Sequence, residues 1–269
     1  MIAETAYAKI NLALHVRGRR EDGYHEIETL FAFVDQGDRL TADEAVEDSL
    51  KIDGEFAEEL TDPSENIVFR ALAVLPRADG MVITLDKRLP VAAGLGGGSA
   101  DAGAVFRLIE RSHGLPDDWS ERAAHLGADV PACVESITCI GRGTGTDLEP
   151  VTSDLVNTSV LLVNPRILLA TGPVFAAWDG VDRGPLTGGA VSQIALSGRN
   201  DLEAPAMSLC PQVREVLAVL GETDAFLTRM SGSGATCYAL FRSHDVMLDA
   251  MRYIESNYPE WWKISGKLR

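Results

Sequence analysis

Helical and strand patterns intermingle along this chain, which predicts a mixed fold of either the α+β or the α/β class. Three observations carry that prediction. Residues 5–16 alternate in hydropathy with the period of a strand, residues 81–86 (MVITLD) form a β-branched run, and a glycine-rich segment after that run opens an apolar-periodic helix. The 269 residues suffice for one large domain or two modest ones. A boundary near residue 150 is expected, dividing the chain into 1–150 and 151–269.

Taken in order, Ile10, Leu12, Leu14 and Val16 share one face of the first strand, and Lys9, Asn11, Ala13 and His15 the other. The pattern predicts one buried face, with Lys9 and Asn11 side by side opposite it. A charged turn, Arg17 to Gly23, leads into a second strand over 24–34 and a hairpin. The acidic stretch 35–64 reads as a short strand or two with loops. Residues 66–75 read as a helix ended before Pro76, and 81–86 as a strand. The helix after the glycine segment runs through Ala102, Val105, Phe106 and Ile109 and closes at Gly114 and Pro116. A short helix over 120–126 takes Ser120 as its cap and Gly127 as its stop. Strands around 137–140 and 159–163 flank a GRGTG turn, and 178–189 reads as loop. A helix near 212–220, a strand-turn at LTRMSGSGATCYALF and a helix near 246–256 complete the chain.

Composition excludes several classes of function. Forty acidic residues against 24 basic give a formal net charge of −16, a surface that repels nucleic acid and anionic membrane. No uncharged apolar run approaches the ~18 residues of a membrane span. The start MIAETAYAKINLAL carries Glu4 and no basic leader, so no signal peptide is expected. Cys133, Cys139, Cys210 and Cys237 show no metal-binding or disulfide spacing, which predicts reduced thiols and a cytoplasmic location.

The strongest local signal is Gly94-Leu95-Gly96-Gly97-Gly98-Ser99, between a strand and a helix. Glycines there allow positive φ and leave no Cβ to hold a phosphate off the backbone amides. The helix that follows turns unpaired N–H groups and a partial positive charge to the same place. Ser99 serves either as helix cap or as a contact to a phosphate oxygen or metal. The segment fits neither the G-x-x-x-x-G-K-[ST] loop nor the G-x-G-x-x-G fingerprint.

PVAAGLGGGSAD resembles the second motif of the GHMP kinases, the superfamily of galactokinase, homoserine kinase and mevalonate kinase. AYAKINLALHVRGRREDGYHEIETLF resembles the N-terminal motif of the branch that phosphorylates 4-diphosphocytidyl-2-C-methyl-D-erythritol. LGADVPACV resembles that branch's acidic motif and RMSGSGATCYALF its C-terminal glycine motif. The blocks occur in family order across nearly the whole chain. The resemblance implies an α+β fold of two domains with the active site between them. It gives the N-terminal domain a left-handed βαβ unit and the C-terminal one a ferredoxin-like fold.

It also implies roles. Asp129, on the bare sequence an ordinary helix N-cap, becomes the base that orients and deprotonates the acceptor hydroxyl. Lys9 stands beside it and stabilises charge on the hydroxyl and on the transferring phosphoryl group. Pro90, Val91, Ala92, Ala93, Gly94, Leu95, Gly96, Gly97, Gly98, Ser99 and Ala100 cradle the ATP phosphates, and Asn66 and Lys87 frame adenine and ribose. Tyr24 stacks on the cytosine and His25 hydrogen-bonds it, while Phe175 covers its other face. Asn11 and Thr171 line the substrate pocket, and Gly232, Ser233 and Gly234 form a turn that closes over the substrate.

The implied activity is ATP-dependent phosphorylation of the 2-hydroxyl in the non-mevalonate isoprenoid pathway. Magnesium arrives with ATP, and no metal ligand is assigned; Asp101, in the first turn of the phosphate helix, is a minor candidate. A small-molecule substrate, a monomer or weak homodimer, and no nucleic-acid or membrane partner follow. Two other readings stay open: a homoserine kinase-like enzyme, against which the Tyr24-His25 pair speaks, and a ligand-sensing relative without turnover. Ala100 and Asp101 depart from the Ser and Asn common among close relatives.

Overall fold

The computed structural model describes residues 1–60 and 66–269, so residues 61–64 of the acidic stretch lie outside the described residues. Contacts gather the chain into two compact units that interleave in sequence. One comprises Met1–Lys9, Gln36–Val91 and Gly96–Ser136, the other Ile10–Asp35, Ala92–Leu95 and Ile137–Arg269.

Strands β1 (Ile2–Arg19) and β2 (His25–Ala45) run longer than predicted, and each gives one end to each unit. The first unit adds β3 (Ser49–Asp53), α1 (Ile67–Val74) and β4 (Gly80–Asp86). β3 and β4 form a parallel pair joined through α1, and β4 pairs antiparallel with the end of β2, from Arg39 opposite Asp86 to Ala45 opposite Gly80. Three helices follow: α2 (Gly97–His113), α3 (Trp119–Leu126) and α4 (Val130–Glu135). Asp118, not Ser120, precedes α3 at the cap position, and its carboxylate binds Arg122 one turn on. Helices α2 and α4 approach closely at Gly103, where a Cβ would stand 2.5 Å from the Cys133 carbonyl oxygen. Only glycine fits there.

In the second unit the start of β2 pairs antiparallel with β5 (Cys139–Gly143), and β5 with β6 (Asp147–Pro150). A separate antiparallel sheet contains β7 (Ser159–Asn164), β8 (Leu227–Met230), β9 (Cys237–Phe241) and β10 (Trp262–Lys267) in the order β10-β7-β9-β8. The helices of this unit are α5 (Thr171–Ala176), α6 (Val191–Ser197), α7 (Glu203–Leu209), α8 (Gln212–Gly221) and α9 (His244–Asn257). With α8 before β8 and α9 before β10, the sheet order is that of the ferredoxin-like split βαβ fold. Leu161, Val163, Val216, Leu220, Phe241 and Ile254 form its core.

β1 departs from the expectation of one buried face. Lys9, Asn11 and His15 are buried along with Ile10, Leu12, Leu14 and Val16. Burial is tolerated because each polar side chain has a partner. Lys9 meets Asp129, the Asn11 amide donates to Thr29 Oγ1 at 2.7 Å, and His15 Nδ1 lies 3.0 Å from the Gly184 carbonyl oxygen. Among the described residues no helix is long and apolar enough to cross a membrane.

Candidate active site

The glycine segment forms a tight connection into α2. Gly96 is the N-cap residue, in the left-handed region at φ 61°, and makes no side-chain cap. Ser99 is therefore not the cap; it lies within the first turn. The first-turn amides of α2 have no carbonyl of the preceding turn to bind. No acidic side chain of this turn competes for them on the exposed side, because Asp101, the next candidate, is buried.

Lys9 and Asp129 meet beside that cap. Asp129 holds the N-cap position of α4, yet its side chain makes no capping bond. Its carboxylate instead receives the Lys9 ammonium at 2.9 Å, with the lysine side chain 5% exposed and the aspartate 32%. A Cβ built on Gly96 would stand 3.0 Å from Lys9 Cε and 3.8 Å from Asp129 Oδ2. A side chain at the glycine cap would thus press on the lysine of the ion pair. Arg107 of α2 fixes the relation of β1 to α4, donating to the Thr5 carbonyl at 2.7 Å and to the Cys133 carbonyl at 2.6 Å. A half-open carboxylate next to a buried ammonium can accept a proton from a hydroxyl while the cation stabilises the charge that develops.

Asn66 caps α1, its side chain accepting from the Val68 amide at 2.9 Å. Lys87 is 2% exposed, so it is no surface residue. Its ammonium binds the carboxylates of Asp38 and Asp101, the latter at 2.9 Å, and Asp38 also accepts from the Leu89 amide at 2.8 Å. Burial, reinforced by the negative charge of Asp38, drives the Asp101 carboxyl well above the usual carboxylate range against the pull of Lys87. For Lys87, burial lowers the ammonium's pKa, but the two carboxylates outweigh it and the net shift is upward. Asp101 is 2% exposed and holds Lys87 through one oxygen, so its carboxyl is not open to a solvent-borne magnesium ion. Among the described residues no group of three or more His, Cys, Asp or Glu side chains is arranged to hold a metal ion.

In the second unit, residues 92–95 of the glycine segment pack on the turn after β8. Ser231 Oγ donates to the Gly94 carbonyl at 2.7 Å, and the Thr236 amide donates to the Ala93 carbonyl at 3.1 Å. Asn11 joins this cluster through its backbone amide, which donates to Ser231 Oγ at 3.3 Å. Thr171, first residue of α5, lies 3.0 Å from Ser233, oxygen to oxygen. Gly232, Ser233 and Gly234 are the turn itself. His25 and Phe175 are brought together, their ring centroids 5.0 Å apart, with Trp178 5.8 Å from His25 at 83°. Tyr24, next to His25, is 64% exposed. Burial first, and the charge of Arg19 second, lower the His25 pKa.

Sequence reasoning missed Asp38, Arg19 and Trp178. Asp38 sits in an acidic stretch where no pattern separates it from its neighbours. Arg19 and Trp178 lie in segments, a charged turn and a loop, that look like solvated surface.

A family description, "GHMP kinases N terminal domain", matches residues 66–137, and "GHMP kinases C terminal" matches 188–260. A 4-diphosphocytidyl-2-C-methyl-D-erythritol kinase of Novosphingobium aromaticivorans is 65% identical over all of this chain and 93% of its own length. The chain belongs to the 4-diphosphocytidyl-2-C-methyl-D-erythritol kinase family of GHMP kinases. A second member, from Erythrobacter litoralis, is 59% identical with both chains fully covered. A crystal structure of 4-(cytidine 5'-diphospho)-2C-methyl-D-erythritol kinase superposes with a TM-score of 0.81 at 31% identity, covering 99% of each chain. Homoserine kinase from Cytophaga hutchinsonii, at 16% identity and a TM-score of 0.66, shares the GHMP kinase fold.

Proposed function

We propose that this protein uses ATP to phosphorylate the 2-hydroxyl of 4-diphosphocytidyl-2-C-methyl-D-erythritol, giving the 2-phosphate and ADP for isoprenoid precursor synthesis. One observation carries the reading: Asp129 occupies a helix cap position but spends its carboxylate on Lys9, beside the glycine cap of α2. A structural cap would bond its own helix. The relatives' shared name supports the acceptor.

In this mechanism Asp129 accepts the proton of the attacking hydroxyl, and the Lys9 ammonium balances the alkoxide character that results. The positive-φ glycine cap and the open first turn of α2 fit an anionic phosphate chain, so residues 90–100 form its cradle. When bound, ATP supplies the phosphoryl group, and the magnesium it carries neutralises phosphate charge. Asn66 and Lys87 border the adenosine side. His25 hydrogen-bonds the cytosine between Tyr24 and Phe175, and Asn11, Thr171 and the 232–234 turn line the acceptor pocket. Four buried cysteines, none of them in a disulfide, accord with a cytoplasmic protein. A division into 1–150 and 151–269 agrees with the family descriptions, at 66–137 and 188–260, whereas the compact units interleave and last change over between Ser136 and Ile137. The protein acts as a monomer or weak homodimer on this small molecule, without nucleic acid or membrane.

A coupled ADP-release assay with magnesium-ATP tests the reading, offering the cytidylyl acceptor, homoserine, mevalonate and galactose in parallel. Turnover restricted to the cytidylyl compound is expected. Turnover of another acceptor would discard the pocket, and ATP binding without any turnover would point to a ligand sensor.

A further inference from the structure

We infer that Arg19 is a positioning residue that decides which ring nitrogen of His25 carries the proton, and through it which nucleobase the pocket accepts. Arg19 Nε donates to His25 Nε2 at 3.4 Å. A guanidinium has no acceptor and does not give up its proton, so Nε2 must offer its lone pair. The proton of the neutral imidazole then sits on Nδ1.

The arrangement is held from several sides. The Arg19 guanidinium also donates through Nη2 to the Ala176 carbonyl at 3.3 Å, at the end of α5 and next to Phe175. Phe175 lies tilted over the His25 ring and Trp178 meets it edge-on, which opposes a ring flip. A cavity of about 360 Å³ opens here, lined by Gly18, Arg19, Trp178, Asp179 and Gly180. Trp178 Nε1 is buried in its wall with no hydrogen-bond partner among the described residues. The acid of the cavity, Asp179, is taken up by Arg183 at 3.1 Å and does not reach for the imidazole. Burial and the Arg19 charge both favour the neutral ring.

An Nδ1–H group can only donate. It pairs with a ring nitrogen that carries a lone pair, as N3 of cytosine does. N3 of uracil carries a hydrogen and would set donor against donor. A fixed tautomer is therefore a cytosine-over-uracil filter, because an unpaired buried donor is costly. This selectivity rests on the proposed cytidylyl acceptor; the tautomer itself does not.

The test is ¹⁵N NMR of the histidine rings at pH 8 in the intact protein, wild type and Arg19→Met, with His25→Asn to assign the signals. Wild-type His25 is expected as the Nδ1–H form, shifting towards Nε2–H in Arg19→Met. His15 serves as internal control: its Nδ1 faces the Gly184 carbonyl and its Nε2 receives the Arg199 amide at 3.3 Å, so its signals stay in place. In parallel, the ratio of kcat/KM for the cytidylyl acceptor over its uridylyl analogue is expected to fall about fivefold or more in Arg19→Met. An Nε2–H form in the wild type overturns the inference whatever the variant does. So does an unchanged tautomer in Arg19→Met. A wild-type Nδ1–H ring in a protein that never turns over the cytidylyl acceptor would overturn the proposed activity and leave the tautomer assignment standing.

Discussion

Replacing Gly96 with alanine tests whether the glycine cap of α2 and the Lys9–Asp129 pair are coupled. The residue sits at φ 61°, where a Cβ costs roughly 1–2 kcal/mol. The added methyl would also stand 3.0 Å from Lys9 Cε, so the buried lysine must retreat by a few tenths of an ångström. For a chain of this size the backbone cost lowers Tm by about 2–8 °C. A 1 Å misplacement of a reacting group costs on the order of 10²-fold, so the smaller shift of Lys9 lowers kcat by roughly 3- to 10-fold. Gly98→Ala provides the stability control. Among the described residues its Cβ meets Ile67 Cγ2 at 3.5 Å, and its φ is helical, so alanine should hold or raise Tm by its helix propensity. Steady-state kinetics and thermal melts on both variants decide the matter. A Gly96→Ala protein with kcat within about twofold of wild type would refute the proposed coupling of loop and ion pair.

Further predictions concern the buried charges and the aromatic pocket. Lys87→Met leaves the buried Asp38 carboxylate without its cation and should destabilise the fold by about 3–5 kcal/mol in urea unfolding. Asp101→Asn keeps a hydrogen bond to Lys87 but removes the carboxyl whose pKa burial raises on folding. Such a group holds its proton in the native state and loses it in the unfolded one, so it disfavours folding progressively as pH rises above its unfolded value of about 3.9. The stability advantage of Asp101→Asn over wild type should therefore grow from pH 4 upward, and a constant difference would contradict this. Tyr24→Ala should leave Tm unchanged, since the side chain is 64% exposed, while KM for the cytidylyl acceptor rises about 2- to 10-fold through lost stacking.

Much of the fold was legible because long periodic segments dominate it. The alternation of residues 5–16 located β1, and the glycine segment located the start of α2. Helices α5, α6 and α7 were not legible, since each spans only six or seven residues, too few to display a period. β10 escaped because its residues, WKISGK, are half-polar and join the sheet by backbone pairing with β7. In the site, Asp129 shows the boundary of sequence reasoning. An aspartate two residues before proline reads as a cap, and only the side chain's turn towards Lys9 distinguishes it. Lys87 likewise gave no sign of burial, because its partners Asp38 and Asp101 lie 49 and 14 residues away.

The central claim is that Asp129 takes the hydroxyl proton. It is tested most directly by kcat on the cytidylyl acceptor and ATP affinity, both measured for Asp129→Asn. Asparagine preserves the shape and a contact to Lys9 but cannot serve as the base. The expected kcat is lower by about 10²- to 10⁴-fold, with ATP affinity essentially retained. A variant that turns over like the wild type would remove Asp129 from the reaction.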